Sequence, residues 1–269
     1  MRQRSYSVGL PLKQGIKGRI IIELNRIYNE ECLVGMRKIP DGSVDMILCD
    51  LPYGTTRNKW DSVIPLESLW AEYERVIKEN GAIVLTAQTP FDKVLGASNL
   101  KLLRYEWIWE KTSATGYLNA KKMPMKSHEN ILVFYKQLPV YNPQKTSGHK
   151  RKTSLASHKV GSKLSTNYNE HGLSSYDSTD RYPRSVLVFP TDKQREALHP
   201  TQKPVDLFRY LIRTYTDPGE IVLDNCMGSG TTAVAATLEG RNFIGFETDA
   251  GYVDIANRRL NELTTKEAA

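Results

Sequence analysis

Cysteine is scarce in this chain, which has only three among its 269 residues, Cys32, Cys49 and Cys226. An odd number of widely spaced cysteines cannot supply the disulfide framework of a small secreted domain or the paired ligands of a zinc ribbon. The five histidines have no partner at i+4 and no neighbouring cysteine, so the sequence predicts no metal site. These absences favour a protein that folds in a reducing cytosol.

Long apolar runs are also absent, so neither a membrane span nor a secretory signal is predicted. Residues 1–19 are basic and show neither helical nor strand periodicity, and we expect a loose tail there. The remaining composition, with 40% hydrophobic and 25% charged residues, is that of an ordinary globular protein.

Positive charge is in excess, with 37 Lys and Arg against 30 Asp and Glu, a net charge of +7 and a pI of about 9.2. This balance favours a polyanionic partner such as nucleic acid. Most of the excess lies in 136–184, where Lys and Arg outnumber acids nine to three and Ser, Thr, Asn and Tyr replace aliphatic residues. We therefore predict a basic, partly flexible insertion that is not part of the core.

Apolar strands alternate with amphipathic helical patterns over the rest of the chain. The strand predictions are 19–24, 44–50, 82–87, 103–111 and 129–136, followed by a strand, glycine turn, helix and strand over 221–249. A helical stripe covers 65–79 and ends at Asn80-Gly81. This alternation predicts an α/β fold, a doubly wound and mostly parallel sheet covered on both faces.

The glycine turn reads VLDNCMGSGTT and begins where a predicted strand delivers Asp224 to the sheet edge. Gly228 and Gly230 allow the backbone to approach a ligand. Glu247 ends the next strand, at the position where an acidic side chain accepts hydrogen bonds from ribose hydroxyls. Such a turn alone is often only a tight connection. It lacks the Lys-Ser/Thr of a P-loop and a third glycine, so we expect a nucleoside cofactor without a pyrophosphate, such as S-adenosylmethionine.

A second strand end carries Asp50-Leu51-Pro52-Tyr53. The Asp50 carboxylate and the Leu51 carbonyl are two acceptors that match the two N–H groups of an exocyclic amino group, and Tyr53 offers a flat face to a base. Pro52 stiffens the turn. Taken singly, Asp50 is equally well a turn residue and Tyr53 a packing aromatic, and it is their pairing with the glycine turn that favours catalysis.

These motifs resemble those of the β group of amino-methylating DNA methyltransferases, which modify adenine N6 or cytosine N4. The resemblance rests on Asp50-Leu51-Pro52-Tyr53, then HPTQKPVDLFRYLI at 199–212, then the glycine turn, in that order. It implies S-adenosylmethionine as cofactor and catalytic roles for Asp50, Leu51, Pro52 and Tyr53. The implied cofactor-binding residues are Glu31, Thr201, Gln202, Lys203, Asp224, Asn225, Gly228, Ser229, Gly230, Thr231 and Glu247. Leu51 departs from the family's usual proline, and Asn225-Cys226 from its Pro-Phe.

By the same resemblance, 20–138 is the catalytic half, 139–184 the target-recognition insertion and 185–269 the cofactor-binding half, after the tail 1–19. Double-stranded DNA is the expected partner and no membrane is involved. The predicted DNA-binding residues are Lys145, Lys150, Arg151, Lys152, Lys159 and Lys163. A homodimer and a restriction endonuclease partner are both compatible with this interpretation, in the cytoplasm of a bacterial or phage-infected cell.

The predicted reaction is methylation of the N6 amino group of an adenine flipped out of the duplex, because Asp in the tetrapeptide is more typical of adenine enzymes. Three alternatives stay open: a cytosine-N4 DNA methyltransferase, an RNA or protein methyltransferase, and a non-catalytic DNA-binding subunit.

Overall fold

The computed structural model of the chain describes residues 22–54, 61–154, 175–191 and 202–267. The predicted tail and the site residues Lys159, Lys163 and Thr201 lie outside these described residues. The chain divides into two compact units, of which the smaller is Pro143–Arg184 and the larger is formed from the residues on either side of it.

Ten strands and six α-helices are formed by the described residues. The strands are β1 Arg26–Asn29, β2 Val44–Asp50, β3 Ile77–Ala87, β4 Leu103–Thr115, β5 Lys126–Phe134, β6 Lys152–Ser154, β7 Tyr176–Ser178, β8 Val186–Phe189, β9 Ile221–Asp224 and β10 Asn242–Glu247. The helices are α1 Cys32–Met36, α2 Leu66–Val76, α3 Phe91–Ser98, α4 Val205–Tyr215, α5 Thr231–Leu238 and α6 Ala250–Glu267, and Tyr117–Asn119 forms a 3-10 turn.

The larger unit contains an eight-stranded sheet in the order β1-β10-β9-β2-β3-β5-β4-β8. Its strands are parallel to their neighbours except at β5, which is antiparallel to both β3 and β4. Two buried apolar clusters pack against the sheet. Alternate residues of β2 contribute to each of them: Ile47 and Cys49 belong to one cluster, Met46 and Leu48 to the other. A strand that is buried on both faces is mostly apolar, as the middle of β2 is. The predicted doubly wound α/β fold is confirmed.

Several predicted elements differ in their bounds from the observed ones: β4 extends to Thr115 and not to residue 111, and β5 covers Lys126–Phe134 and not 129–136.

Two further differences have a physical reason. Of the strand predicted at 19–24, residues 19–21 lie outside the described residues, and residues 22–24 are not in a strand. The chain pairs with β10 only from Arg26, directly after Asn25, which has a left-handed φ of 59°. The helix predicted to extend to Glu79 ends at Val76, and Ile77 already begins β3. The polar start of that strand is held by distant contacts, such as the ion pair between Lys78 and Asp45.

The topology creates a crevice between β2 and β9. From β2 the chain continues through α2 to β3 on one side, whereas from β9 it continues through α5 to β10 on the other. Ligands of doubly wound sheets bind where the strand order reverses in this way, at the carboxyl ends of the strands. Asp50 ends β2 and Asp224 ends β9, so both lie at this point.

Among the described residues, no helix combines the length and the apolar character that are needed to span a bilayer.

Candidate active site

A cavity of about 580 Å³ lies in the larger unit at the carboxyl ends of these strands. Its volume falls within the range of small-molecule and cofactor pockets. It brings together residues from all three sequence motifs, which are far apart in the chain. The predicted site residues that line it are Glu31, Asp50, Leu51, Pro52, Tyr53, Gln202, Lys203, Asp224, Asn225, Gly228, Ser229, Thr231 and Glu247.

The Asp50 carboxylate accepts hydrogen bonds from three side chains. The hydroxyls of Tyr53 and Thr86 donate to Oδ1, at 2.7 and 2.5 Å, and the ammonium of Lys203 donates to Oδ2 at 2.5 Å. Thr86 is positioned by the sheet, because β3 pairs with β2 in the register that sets Thr86 opposite Asp50. The carboxylate is therefore held in one orientation by β3, by the turn that follows β2 and by the segment before α4.

Lys203 is buried and bridges two carboxylates. Besides Asp50, its Nζ lies 3.3 Å from Oε2 of Glu129, whose Oε1 pairs with Nζ of Lys111 at 2.6 Å. Burial alone lowers the pKa of Lys203, but the two carboxylates outweigh it and raise this pKa. Burial likewise raises the pKa of Glu129, and the two lysines reverse this and lower it. Lys203 and Glu129 thus both stay charged near neutral pH. Together with Asp50 and Lys111 they form a chain in which acidic and basic side chains alternate.

The side chain of Lys203 therefore lies at the Asp50 end of the cavity, whereas its backbone carbonyl lies next to Thr231 of the glycine turn. Thr86, Lys111 and Glu129 also line or support this site and are not among the residues predicted from the sequence. A signal was present for two of them: Thr86 interrupts the apolar run of β3, and Glu129 lies two residues before the apolar run of β5. A charged or polar residue next to a fully buried run marks a strand end that faces a ligand crevice.

The Tyr53 ring has two close neighbours. It stacks on Phe91 with ring centroids 5.4 Å apart and an interplanar angle of 26°, and Nζ of Lys203 lies 5.4 Å from its centroid. Burial and the carboxylates of Asp50 and Glu129 raise the pKa of Tyr53, so that its hydroxyl remains a hydrogen-bond donor.

The glycine turn is organised by Asp224, which is buried. Oδ1 of Asp224 accepts from the backbone N–H of Cys226 at 2.9 Å, and Oδ2 accepts from the hydroxyl of Thr232. Burial raises the pKa of Asp224 to about 6. Both oxygens are engaged, one by the turn and one by the start of α5, so Asp224 orders the part of the cavity wall that the glycine turn forms.

The two glycines of the turn have different surroundings. Both have left-handed φ values, 52° at Gly228 and 86° at Gly230. A Cβ at Gly230 would come within 2.6 Å of the Cβ of Ala256 on α6, whereas no atom lies within 4 Å of a Cβ at Gly228. Gly228 instead donates its N–H to Oε2 of Glu247 at 2.8 Å. Gly230 is thus required for helix packing, and Gly228 lines the cavity.

Four other predicted cofactor-binding residues have structural partners of their own. Oδ1 of Asn225 accepts from the hydroxyl of Tyr73 at 2.5 Å, and Glu31 caps α1 through the N–H groups of Leu33 and Val34. The backbone carbonyl of Ser229 accepts from Arg259 of α6 at 2.6 Å, and Thr231 lies beside the Lys203 carbonyl, at 3.5 Å.

The cavity wall away from Asp50 offers hydrogen-bond acceptors to a ligand. Oε1 of Gln202 is buried and has no hydrogen-bond partner among the described residues. Each carboxylate oxygen of Glu31 and Glu247 accepts one backbone N–H and retains capacity for another donor. A ligand with hydroxyl and amino groups, as a nucleoside joined to an amino acid has, fits this set.

The model of a DNA methylase family matches residues 44–258. The chain belongs to this DNA methylase family. Similar curated proteins are the type II methyltransferase M1.MboII of Moraxella bovis, 29% identical over 90% of this chain and 99% of that one, and the DNA adenine methyltransferase YhdJ of Escherichia coli K12, 30% identical over 89% and 83%. The sequence-based prediction of an S-adenosylmethionine-dependent DNA methyltransferase is confirmed.

Solved structures of DNA methyltransferases share the fold of this DNA methylase. The crystal structure of the M1.HpyAVI–SAM complex aligns with a TM-score of 0.60 and 24% identity, over 88% of this chain and 98% of that one. The cytosine-N4-specific PvuII DNA methyltransferase aligns with a TM-score of 0.62 and 17% identity, over 87% and 85%.

The predicted DNA-binding residues that are described belong to the smaller unit. Strands β6 and β7 form an antiparallel pair there, and all four residues, Lys145, Lys150, Arg151 and Lys152, are exposed. Arg151 pairs with Asp177 across the two strands, through bonds of 2.7 and 2.5 Å. Nζ of Lys145 lies 4.5 Å from the ring centroid of Tyr182.

Proposed function

We propose that this DNA methylase methylates the N6 amino group of an adenine flipped out of double-stranded DNA, with Asp50 as the acceptor that holds the amino group. The observation that carries the proposal is the position of the Asp50 carboxylate. It lies at the end of β2, on the wall of the same cavity that the glycine turn lines from β9. Flipping is required because the amino nitrogen of a stacked pair cannot reach a group bound in that cavity.

The residues of the chain hold and polarise the amino group. We propose that one N–H of the base takes the place of the Tyr53 hydroxyl on Oδ1 of Asp50, and that the Leu51 carbonyl accepts the other. Bound S-adenosylmethionine supplies an electrophilic methyl group. Two acceptors on the amino group keep electron density on its nitrogen, which stabilises the transition state more than the ground state.

Lys203 and Thr86 keep Asp50 ready for this role. The ammonium of Lys203 compensates the buried negative charge, and the Thr86 hydroxyl fixes the orientation of the carboxylate. A carboxylate oriented before the substrate arrives loses no free energy to reorganisation during the reaction. Asp50 is also in position to accept the proton that the methylated nitrogen releases.

Adenine is favoured over cytosine by Asp at the first position of the tetrapeptide, and it agrees with the name of the YhdJ relative as a DNA adenine methyltransferase. Cytosine N4 remains the alternative, since the same two acceptors match its amino group.

We expect the insertion 139–184 to contact DNA, and Lys145, Lys150, Arg151 and Lys152 to contribute its positive charge. The names of the type II relatives support a restriction endonuclease as a functional partner, and a homodimer stays a prediction. The DNA substrate implies a location in the cytoplasm of a bacterial or phage-infected cell.

The deciding experiment incubates the protein with isotopically labelled S-adenosylmethionine and unmethylated genomic DNA, then identifies the methylated nucleoside by mass spectrometry. We expect labelled N6-methyladenine, and a loss of about 10²-fold or more in Asp50→Ala, which is matched by Asp254→Ala on the exposed side of α6 as a control. Cofactor affinity, measured by calorimetry, should be similar in both variants. Labelled N4-methylcytosine would overturn the base assignment, and label in RNA or protein alone would overturn the function.

A further inference from the structure

The hairpin between β4 and β5 extends past the catalytic end of the cavity. Following the pairing across the sheet, Asp50 is level with Thr86, Thr86 with Ile131, and Ile131 with Trp107. Strand β4 continues eight residues beyond Trp107, to Thr115, which corresponds to roughly 25 Å of strand. The connection 116–125, which we call the hairpin tip, therefore lies on the ligand-binding edge of the sheet.

The hairpin tip exposes large apolar side chains. Leu118 is 97% exposed and Tyr117 is 79% exposed, and Met123 and Met125 are also exposed. The backbone beneath them is ordered by hydrogen bonds: the N–H groups of Asn119 and Ala120 donate to Gly116 and Tyr117 in the 3-10 turn, at 2.9 and 3.0 Å. A cluster of exposed apolar side chains on an ordered turn is typical of an interaction site.

The charge around the hairpin tip is positive. The segment 112–128 contains Lys121, Lys122 and Lys126 and has no Asp or Glu. Apolar side chains flanked by lysines alone match a polyanion with an apolar interior, which describes duplex DNA with its phosphates outside and its stacked bases within.

Hydrogen bonds join the end of the hairpin nearest the tip to the Asp50 carboxylate. Nζ of Lys126 donates to Oε1 of Gln88 at 2.7 Å, and Nε2 of Gln88 donates to Oε1 of Glu129 at 3.2 Å. Glu129 in turn pairs with Lys203, which holds Asp50. The β4 side of the hairpin also forms part of the cavity wall, so a duplex whose base enters the cavity must pass beside the tip.

We infer that the hairpin tip is a DNA wedge: Leu118, supported by Tyr117, enters the base stack at the position that the flipped base vacates, while Lys121 and Lys122 contact the adjacent phosphates. This inference rests on the proposed function. Extrusion of a base leaves an apolar gap and costs unstacking free energy, and an inserted apolar side chain fills that gap and offsets the cost. The wedge is distinct from the predicted target-recognition insertion, since it belongs to the larger unit.

The test uses the full-length protein and a duplex with the site that the wild type methylates, identified by sequencing its methylated product. Initial rates of methyl transfer are measured on the fully paired duplex and on the same duplex with an abasic site opposite the target. Leu118→Ala and Tyr117→Ala are compared with Leu100→Ala, which removes a 68% exposed leucine before the start of β4, at the opposite edge of the sheet. Cofactor affinity, measured by calorimetry, verifies that each variant is folded.

We expect Leu118→Ala to slow methylation of the paired duplex at least about tenfold and to approach the wild-type rate on the abasic duplex, because the unpaired target costs less to flip. Leu100→Ala should match the wild type on both. The double variant Lys121→Ala/Lys122→Ala should weaken DNA binding in a way that low salt restores and the abasic site does not.

Equal rates for Leu118→Ala and wild type on the paired duplex, or an equal loss on both duplexes, would overturn the wedge. A change of oligomeric state in Leu118→Ala would also overturn it, in favour of a contact between copies of the chain. Failure of the proposed function is recognised separately, because the wild type would then transfer no methyl group to any DNA.

Discussion

Asp50 is the residue on which the proposed chemistry depends, and its three donors differ in what they contribute. Thr86 comes from β3 and Lys203 from the segment before α4, whereas Tyr53 is only three residues from Asp50. The Tyr53 hydroxyl bonds to Oδ1, the oxygen to which the base amino group is proposed to bind. In the proposed complex, the Tyr53 hydroxyl would compete with the base amino group for this oxygen, and the Tyr53 ring would stack on the base.

Replacing Tyr53 tests this division directly. Tyr53→Phe keeps the ring on Phe91 and removes the competing donor, so methyl transfer should continue at the wild-type rate or faster. Tyr53→Ala removes the stacking face, worth about 1–3 kcal/mol per base, and should lower kcat/KM about 10- to 100-fold. Steady-state kinetics with DNA as the varied substrate measures both. If Tyr53→Phe were as slow as Tyr53→Ala, the hydroxyl would itself be part of the catalytic machinery.

Glu129 gives the site a predictable dependence of stability on pH. Its folded-state pKa is lowered by Lys203 and Lys111, so its stabilising contribution is present above the unfolded-state pKa of about 4.5 and is lost as the pH falls through the lower folded-state value. Glu129→Gln should reduce the free energy of unfolding by about 3 kcal/mol at pH 7, since it leaves Lys111 without its buried partner.

Denaturant unfolding at a series of pH values from 7 to 3 measures this difference. The gap between wild type and Glu129→Gln should narrow as the acid limit is approached, whereas the exposed Glu106→Gln on β4 should differ little from wild type throughout. A gap that stays constant with pH would show that the ion pairs do not stabilise the fold.

At the scale of elements, the glycine turn and α6 form one packed unit. Gly230→Ala brings a Cβ within 2.6 Å of Ala256 and imposes a left-handed φ on alanine, so we expect a loss of about 2–4 kcal/mol in stability and weaker cofactor binding. Gly240→Ala is the matched control, because its φ of 68° is also left-handed but no atom lies within 4 Å of the new Cβ. It should cost about 1 kcal/mol.

Thermal unfolding and calorimetric titration with S-adenosylmethionine distinguish the two glycine variants. Equal destabilisation by Gly230→Ala and Gly240→Ala would mean that α6 moves away from the turn at little cost.

Elements whose signal is local were predictable from the sequence. Strand β2 and the strand, turn and helix around Asp224 are apolar runs closed by an acid or by glycine, and local spacing locates them. The start of β3 was missed because its polar residues are held by distant partners: Lys78 pairs with Asp45, and Glu79 pairs with Lys136. A pattern of neighbouring residues in the sequence does not reveal such long-range ion pairs.

The candidate site likewise contains some parts that were predictable from local sequence and others that were not. The tetrapeptide at Asp50 and the glycine turn are continuous motifs, and both line the cavity. The charge chain of Lys203, Glu129 and Lys111 joins three separate segments, and only the strand order brings them together. The position of Lys203 beside Asp50 could therefore be found only from the structure.

At the scale of the whole molecule, the net charge of +7 has its greatest consequence in the smaller unit. Not all of its cations are equally available to phosphates. Arg151 is engaged by Asp177, and the Arg181 guanidinium binds the backbone carbonyl of Lys150 and shapes the loop. Lys150 and Lys152 are exposed cations beside the β6–β7 pair, and we expect their side chains to contact DNA.

The salt dependence of DNA binding tests this expectation. Each phosphate contact releases condensed counterions and contributes about 0.9 to the slope of log K against log salt. The double variant Lys150→Ala/Lys152→Ala should therefore lower the slope by about 2, with little change in cofactor affinity, whereas the exposed Lys101→Ala of the larger unit should leave it unchanged. Fluorescence anisotropy with a labelled duplex from 50 to 200 mM salt, a range over which such slopes are well resolved, measures the effect. A double variant that bound more weakly but kept the wild-type slope would mean that these lysines stabilise the smaller unit instead of contacting phosphates.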